Sequence, residues 1–199
     1  MGRIQRLFAG GSAGNEQLTA VVAAVLLLLL AIEGATLLQL RSLLTVHAFV
    51  GMLLIPVVAL KLGSSGWRML RYYLNGEEYV RRGPPHIVLR ALIAPVLVLS
   101  TFVLFATGVA LLALGQREGI IVSLHKASFI VWVGAASLHV LAHALTLPRV
   151  LRARIPGVPI RVALVAAAVF SGALLAIETL PAADRLQDRA TAHVGFHER

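Results

Sequence analysis

Five apolar stretches, each close to twenty residues or longer, constrain this chain more than any other feature. They run from about Leu18 to Leu40, Leu43 to Leu62, Ile87 to Leu114, Ile120 to Leu147 and Ile160 to Leu180. A bilayer core roughly 30 Å thick needs about 20 apolar residues of helix, and each stretch meets that length. Hydrophobic residues make up 58% of the 199-residue chain and charged residues only 14%, too apolar for an ordinary soluble domain. The expectation is an all-α, polytopic membrane protein with five transmembrane helices and the lipid bilayer as its first partner. The first stretch does not read as a cleaved signal peptide, because its apolar run is long and no small-x-small site follows.

The net charge of +9 could suggest nucleic acid in a soluble protein, but here the basic residues cluster between the apolar runs. Arg3 and Arg6 precede the first run. Arg68, Arg71, Arg81 and Arg82 lie between the second and third, with Lys61 and Arg90 at the edges. Arg149, Arg152 and Arg154 lie between the fourth and fifth, with Arg161 beyond. The opposite connections carry only Arg41, and Arg117 beside Glu118. The positive-inside rule therefore puts a 1–17 arm in the cytoplasm, an 18–180 domain in the membrane and a polar, mobile 181–199 tail outside, with no nucleic-acid partner. Within that tail, His193 and His197 read as ordinary solvated histidines, and "GSAGN" at 11–15 reads as a flexible linker. With no cysteine, disulfides, thiolate metal sites, iron–sulfur clusters and covalent haem attachment are excluded.

Ionisable residues inside spans are costly and point to function. The fourth run carries His125, His139 and His143. At 100° and 1.5 Å per residue, His125 and His139 lie roughly 40° apart in azimuth and roughly 21 Å apart in depth, and His143 shares the same face. His47 enters the second run from the same side as His125 enters the fourth, so the two imidazoles sit at matched depth and can clamp a metal between facing helices. Gly51, one turn below His47, would let a flat macrocycle approach the backbone. Partners for His139 and His143 are less defined: His86 opens the third run, and Lys61 stands fourteen residues after His47. Competing readings are histidines hydrogen-bonded to carbonyls, a proton relay, and a bare metal site. Glu33, the one carboxylate well inside a span, reads as a protonated or helix-bonded carboxyl.

Through "VHAFVG" at 46–51, "LHKASF" at 124–129 and "LHVLAH" at 138–143, residues 43–147 resemble bacterial membrane cytochromes b, the haem-binding helical bundles of hydrogenase and formate-dehydrogenase membrane subunits. The resemblance implies one or two b-type haems bound non-covalently by paired histidines, in a multi-pass protein of the bacterial cytoplasmic membrane. It implies electron transfer between a redox partner protein and quinone or another carrier. His47 and His125 then match the outer haem pair, and His139, with His143 as its rival, the inner ligand. Lys61 stands where relatives often have the opposing histidine, which leaves a mono-haem protein or an inner site completed by His86 both open. Lys126, Arg117 and Arg41 would neighbour outer propionates. No dehydrogenase or flavin domain is embedded, so any substrate chemistry is expected in a partner, with this chain as an electron-transfer subunit. A proton-coupled transporter and a haem-free membrane scaffold are the alternatives.

Overall fold

The computed structural model describes residues 10–81, 83, 87–116 and 118–192, the side chains of 190–192 excepted. His86, His193 and His197, and the basic residues Arg3, Arg6, Arg82 and Arg117, lie outside the described residues. The elements are α1 (Gly11–Thr36, extended by a 3₁₀ turn Leu37–Gln39), α2 (Leu44–Tyr73), α3 (Glu77–Val80), α4 (Ala94–Leu114, preceded by a π turn Leu89–Ile93), α5 (Ile120–His143), α6 (Leu147–Arg152) and α7 (Val158–Ala192). The described residues form helices and connections with no strand. Five helices are long and apolar enough to cross a membrane: Gly11–Gln39, Leu44–Tyr73, Leu89–Leu114, Ile120–His143 and Val158–Arg189. The chain is thus an all-α, multi-pass membrane protein. Its exposed surface fits lipid rather than water, with Ile130 and Leu141 on α5 each 71% exposed and Phe170 on α7 65% exposed.

Two units of unequal packing make up the bundle. α1, α2 and α7 pack tightly, with α2 in the middle. Leu18, Val22 and Leu26 on α1 and Val50, Leu54 and Val57 on α2 repeat at three- and four-residue steps, so each set forms one stripe, and the stripes bury against one another and Val165 of α7. On its other side α2 offers Met52 to Ala176 and Ala183 of α7 and Leu112 of α4. Gly172 brings the α7 backbone against α2, where a Cβ would collide with the Leu53 carbonyl. The second unit is a hairpin, α4 and α5, reversed at Gly115, whose φ of +62° suits a residue without a Cβ. α5 packs on α4 and the preceding π turn, and α2 and α5 share no extensive contact. The π turn has a local cause. Pro95 lacks an N–H and its ring crowds the carbonyl four residues back, so the Ala94 N–H bonds to Leu89 O five residues back instead.

Three boundaries differ from the sequence reading. Residues 11–15 are the first turns of α1, not a linker. Ser12 N–H donates to Glu78 Oε2 (3.0 Å) and Asn15 Nδ2 to Ser64 O (2.9 Å), so tertiary bonds offset the helix cost of the glycines. α2 continues past Leu62 to Tyr73, taking half of a connection that had read as loop. The mobile-tail reading also fails up to residue 192, because α7 runs through Pro181 to Ala192. Ala183 and Leu186 are buried, and Gln187 Oε1 accepts from the Leu44 and Thr45 amides (2.9 and 3.3 Å) at the open start of α2. Thr45 Oγ1 donates to Asp184 Oδ1 at 3.1 Å, and Gln187 Nε2 donates to Arg41 O. A helix N-terminus leaves amides without intrahelical partners, and the end of α7 supplies acceptors for two of them.

Candidate functional site

Four helix ends converge at one end of the bundle: the C-terminal turns of α1 and α4 and the N-terminal turns of α2 and α5. Each brings a polar residue to the same level. Thr36, in the last turn of α1, uses its hydroxyl proton on the Glu33 carbonyl, Oγ1 to O 2.6 Å. Its oxygen is left as an acceptor 3.0 Å from His47 Nδ1, and Glu33 Oε1 lies 3.0 Å from the same nitrogen. With Glu33 ionised both neighbours accept, so they hold His47 through an Nδ1–H and leave Nε2 clear of these partners. The ring is neither buried outright nor open, with its side chain 21% exposed and that of Glu33 17%. Glu33 Oε2 is buried with no hydrogen-bond partner among the described residues.

The same logic applies across the site. His125 Nδ1 is 3.1 Å from Leu104 O and 3.0 Å from Thr107 Oγ1. The Thr107 hydroxyl lies within reach of the Val103 and Leu104 carbonyls, at 2.6 and 3.0 Å, and donates back into its own helix. Leu104 O can only accept, so His125 also carries its proton on Nδ1 and presents a bare Nε2. Gly108 leaves room for this ring, since a Cβ there would lie 3.2 Å from His125 Cε1. Trp132 Nε1 donates to Thr101 Oγ1 (2.9 Å), and Ser128 and Ala135 are buried on the same stripe as His125 and His139, so α5 turns this stripe inward. His47 and His125 are close enough to interact electrostatically. Gly51 looks onto the Glu33 carboxylate, 3.6 Å from where its Cβ would stand, so it makes room for Glu33 as well as for anything between the rings. Of the expected propionate neighbours, Lys126 and Arg41 are exposed and Arg117 lies outside the described residues.

The opposite end is built differently. Lys61 does not face the inner histidines with a ligand atom; its Nζ donates to Thr19 O on α1 at 3.0 Å. Thr19 Oγ1 bonds to Ser64 Oγ (3.0 Å), so α1 and α2 are laced together by Asn15, Thr19, Lys61 and Ser64. His139 lies near enough to Lys61 for an electrostatic interaction and has no ring hydrogen bond among the described residues. Its ring is 4.6 Å from that of the exposed His143, whose Nδ1 is 2.9 Å from His139 O. Two histidines one turn apart on one helix cannot take opposite sides of an iron, and no described imidazole faces them. His86, the remaining candidate, lies outside the described residues. Nor do three or more His, Asp or Glu side chains converge anywhere among the described residues, as a bare metal site would need.

Sequence reasoning missed Thr36, Leu104 and Thr107 and undervalued Glu33. A signal for Glu33 existed, because Glu33 and His47 both stand seven residues from Leu40 at the turn and so share a depth. Compared with known proteins, the chain matches no family model, no curated protein and no solved structure.

Proposed function

We propose that this protein is a membrane electron-transfer subunit holding one b-type haem between His47 and His125, like the cytochromes b its histidine motifs resemble. The observation that carries this reading is that in both rings Nδ1 is held by oxygen atoms of the surrounding helices while Nε2 is left clear. Metal-ligating histidines typically donate their second ring nitrogen to a carboxylate or carbonyl, which fixes the ring and raises its basicity. His47 does so to Glu33 and Thr36, and His125 to Leu104 and Thr107, leaving both Nε2 atoms available. A haem there would supply one-electron redox chemistry. The chain would supply two oriented imidazoles and a buried carboxylate on one side. The inner histidines lack an opposed imidazole among the described residues, so the reading is of one haem. A soluble or membrane redox partner and a quinone are the proposed exchange partners, in a bacterial cytoplasmic membrane with the basic connections inside.

A second reading has its own support. A carboxylate–histidine pair within the spans, with one carboxylate oxygen unpaired, is also what a proton path uses. The visible spectrum of purified protein, expressed with haem available, separates the two. Sharp reduced-state bands of bis-imidazole haem b are expected, and a colourless folded protein would leave the proton path. Orientation is tested by cysteine labelling on this cysteine-free chain. In intact cells Leu38→Cys, at an 86% exposed position in the α1–α2 turn, should label from outside and Ser65→Cys should not. The reverse pattern would invert the topology.

A further inference from the structure

At the end away from His47, the connection from α6 into α7 folds beside α1 and encloses a cavity of about 560 Å³. One wall is apolar, formed by Val21, Leu151, Ile155, Val158 and Val162, and Val158 and Val162 continue onto the exposed flank of α7. The other is cationic, formed by Arg152, Arg154 and Arg161, and no acidic residue among the described residues lines the cavity. Arg161 is buried, and its guanidinium donates to Pro156 O (2.9 Å) and Ile155 O (2.6 Å), which shapes the connection. Arg152 and Arg154 are exposed and turned to this space. Gln17 also lines it and is only 5% exposed. Its Nε2 donates to Ala153 O at 2.7 Å, while its Oε1 has no donor among the described residues.

We propose that this cavity binds an anionic glycerophospholipid. The phosphodiester meets Arg152 and Arg154, for which planar guanidinium donors are well suited. The acyl chain follows Val158 and Val162 into the bilayer. Zwitterionic headgroups fit less well, because choline or ethanolamine would bring a cation among three arginines. Basic pockets beside membrane helices are a recurrent mode of anionic lipid recognition.

The test uses the full chain, purified and equilibrated in mixed micelles of phosphatidylcholine, phosphatidic acid and phosphatidylglycerol, with retained lipid counted by native mass spectrometry. One anionic phospholipid per chain should be retained in preference to phosphatidylcholine, and millimolar inorganic phosphate or glycerol phosphate should not displace it. The Arg152→Gln/Arg154→Gln pair should lower retention about thirtyfold, each arginine near an anionic group being worth about a factor of five. Helix content of the variant is checked by circular dichroism. Unchanged retention in the arginine pair would overturn the proposal, as would an equal loss in an Arg68→Gln/Arg81→Gln control, which would mean diffuse charge. Displacement by inorganic phosphate would overturn it as well, in favour of a soluble-anion site.

Discussion

The two ends of the α1–α2 hairpin carry similar chemistry in different arrangements. At one end Glu33 meets His47, and at the other Lys61 meets Thr19. Each is an ionisable group within an apolar span, and each crosses between the same two helices. The first contact occupies one nitrogen of a ring that has two, so it orients the imidazole and leaves the second nitrogen over, the one the proposed haem would use. The second ends on a backbone carbonyl, with Ser64 bonded to Thr19 beside it, and it locks helix to helix. Across the bundle the contrast repeats. His125 has an orienting carbonyl and hydroxyl, whereas among the described residues the His139 ring has only its electrostatic neighbours and the His143 ring beside it. A histidine in a span therefore says little by itself, and what grips its other nitrogen says more.

The largest expected effect is loss of the cofactor. His47→Ala and His125→Ala should each abolish the haem absorbance, with helix content by circular dichroism retained. A bis-imidazole spectrum surviving in both variants would break the pairing. Next comes the group behind the ligand: Glu33→Leu should weaken haem retention about 10–100-fold, the usual cost of removing such a partner. Haem titration of the apoprotein measures it, and wild-type affinity would mean that Glu33 does not serve His47. Thr107→Val should cost less, about fivefold, since Leu104 O still holds His125 and one neutral hydrogen bond contributes about 1 kcal/mol. Lys61→Met should leave the haem spectrum unchanged and move stability by roughly 1 kcal/mol or less in either direction, because it removes a charge from an apolar site along with its bond. A spectral change there would join the two ends functionally. The smallest effect is expected from His139→Ala and His143→Ala. The haem-to-protein ratio should stay near one, and a fall from two to one would establish an inner haem.

Much of this was legible in the sequence through depth. In an antiparallel hairpin, residues equidistant from the turn share a level, and rise per residue is nearly constant. His47 with Glu33, and Lys61 with Thr19, are each symmetric about Leu40. The same counting puts His47 and His125 at one level, and their pairing across a haem is the proposal built on it. The α7 extension was not legible, because Pro181 and the polar residues after it resemble a helix end. What holds the helix there is contact with the start of α2, more than 130 residues earlier in the chain. The helical start at Gly11 escaped for the same reason, since its support comes from Glu78 and Ser64.

By itself, then, the sequence determined the number of spans, their order, and the level of each polar residue. Hydrocarbon requires about twenty apolar residues per helix, and a helix converts residue number into height. Tertiary structure alone decided azimuth and partner. Packing of Gly172 on α2, and of Ser128 and Ala135 on α4, set the rotation of α7 and α5. Rotation then determined whether an acceptor stood behind Nδ1, as at His47 and His125, or none among the described residues did, as at His139. Those contacts depend on side chains from separate helices meeting in space, which no local spacing encodes.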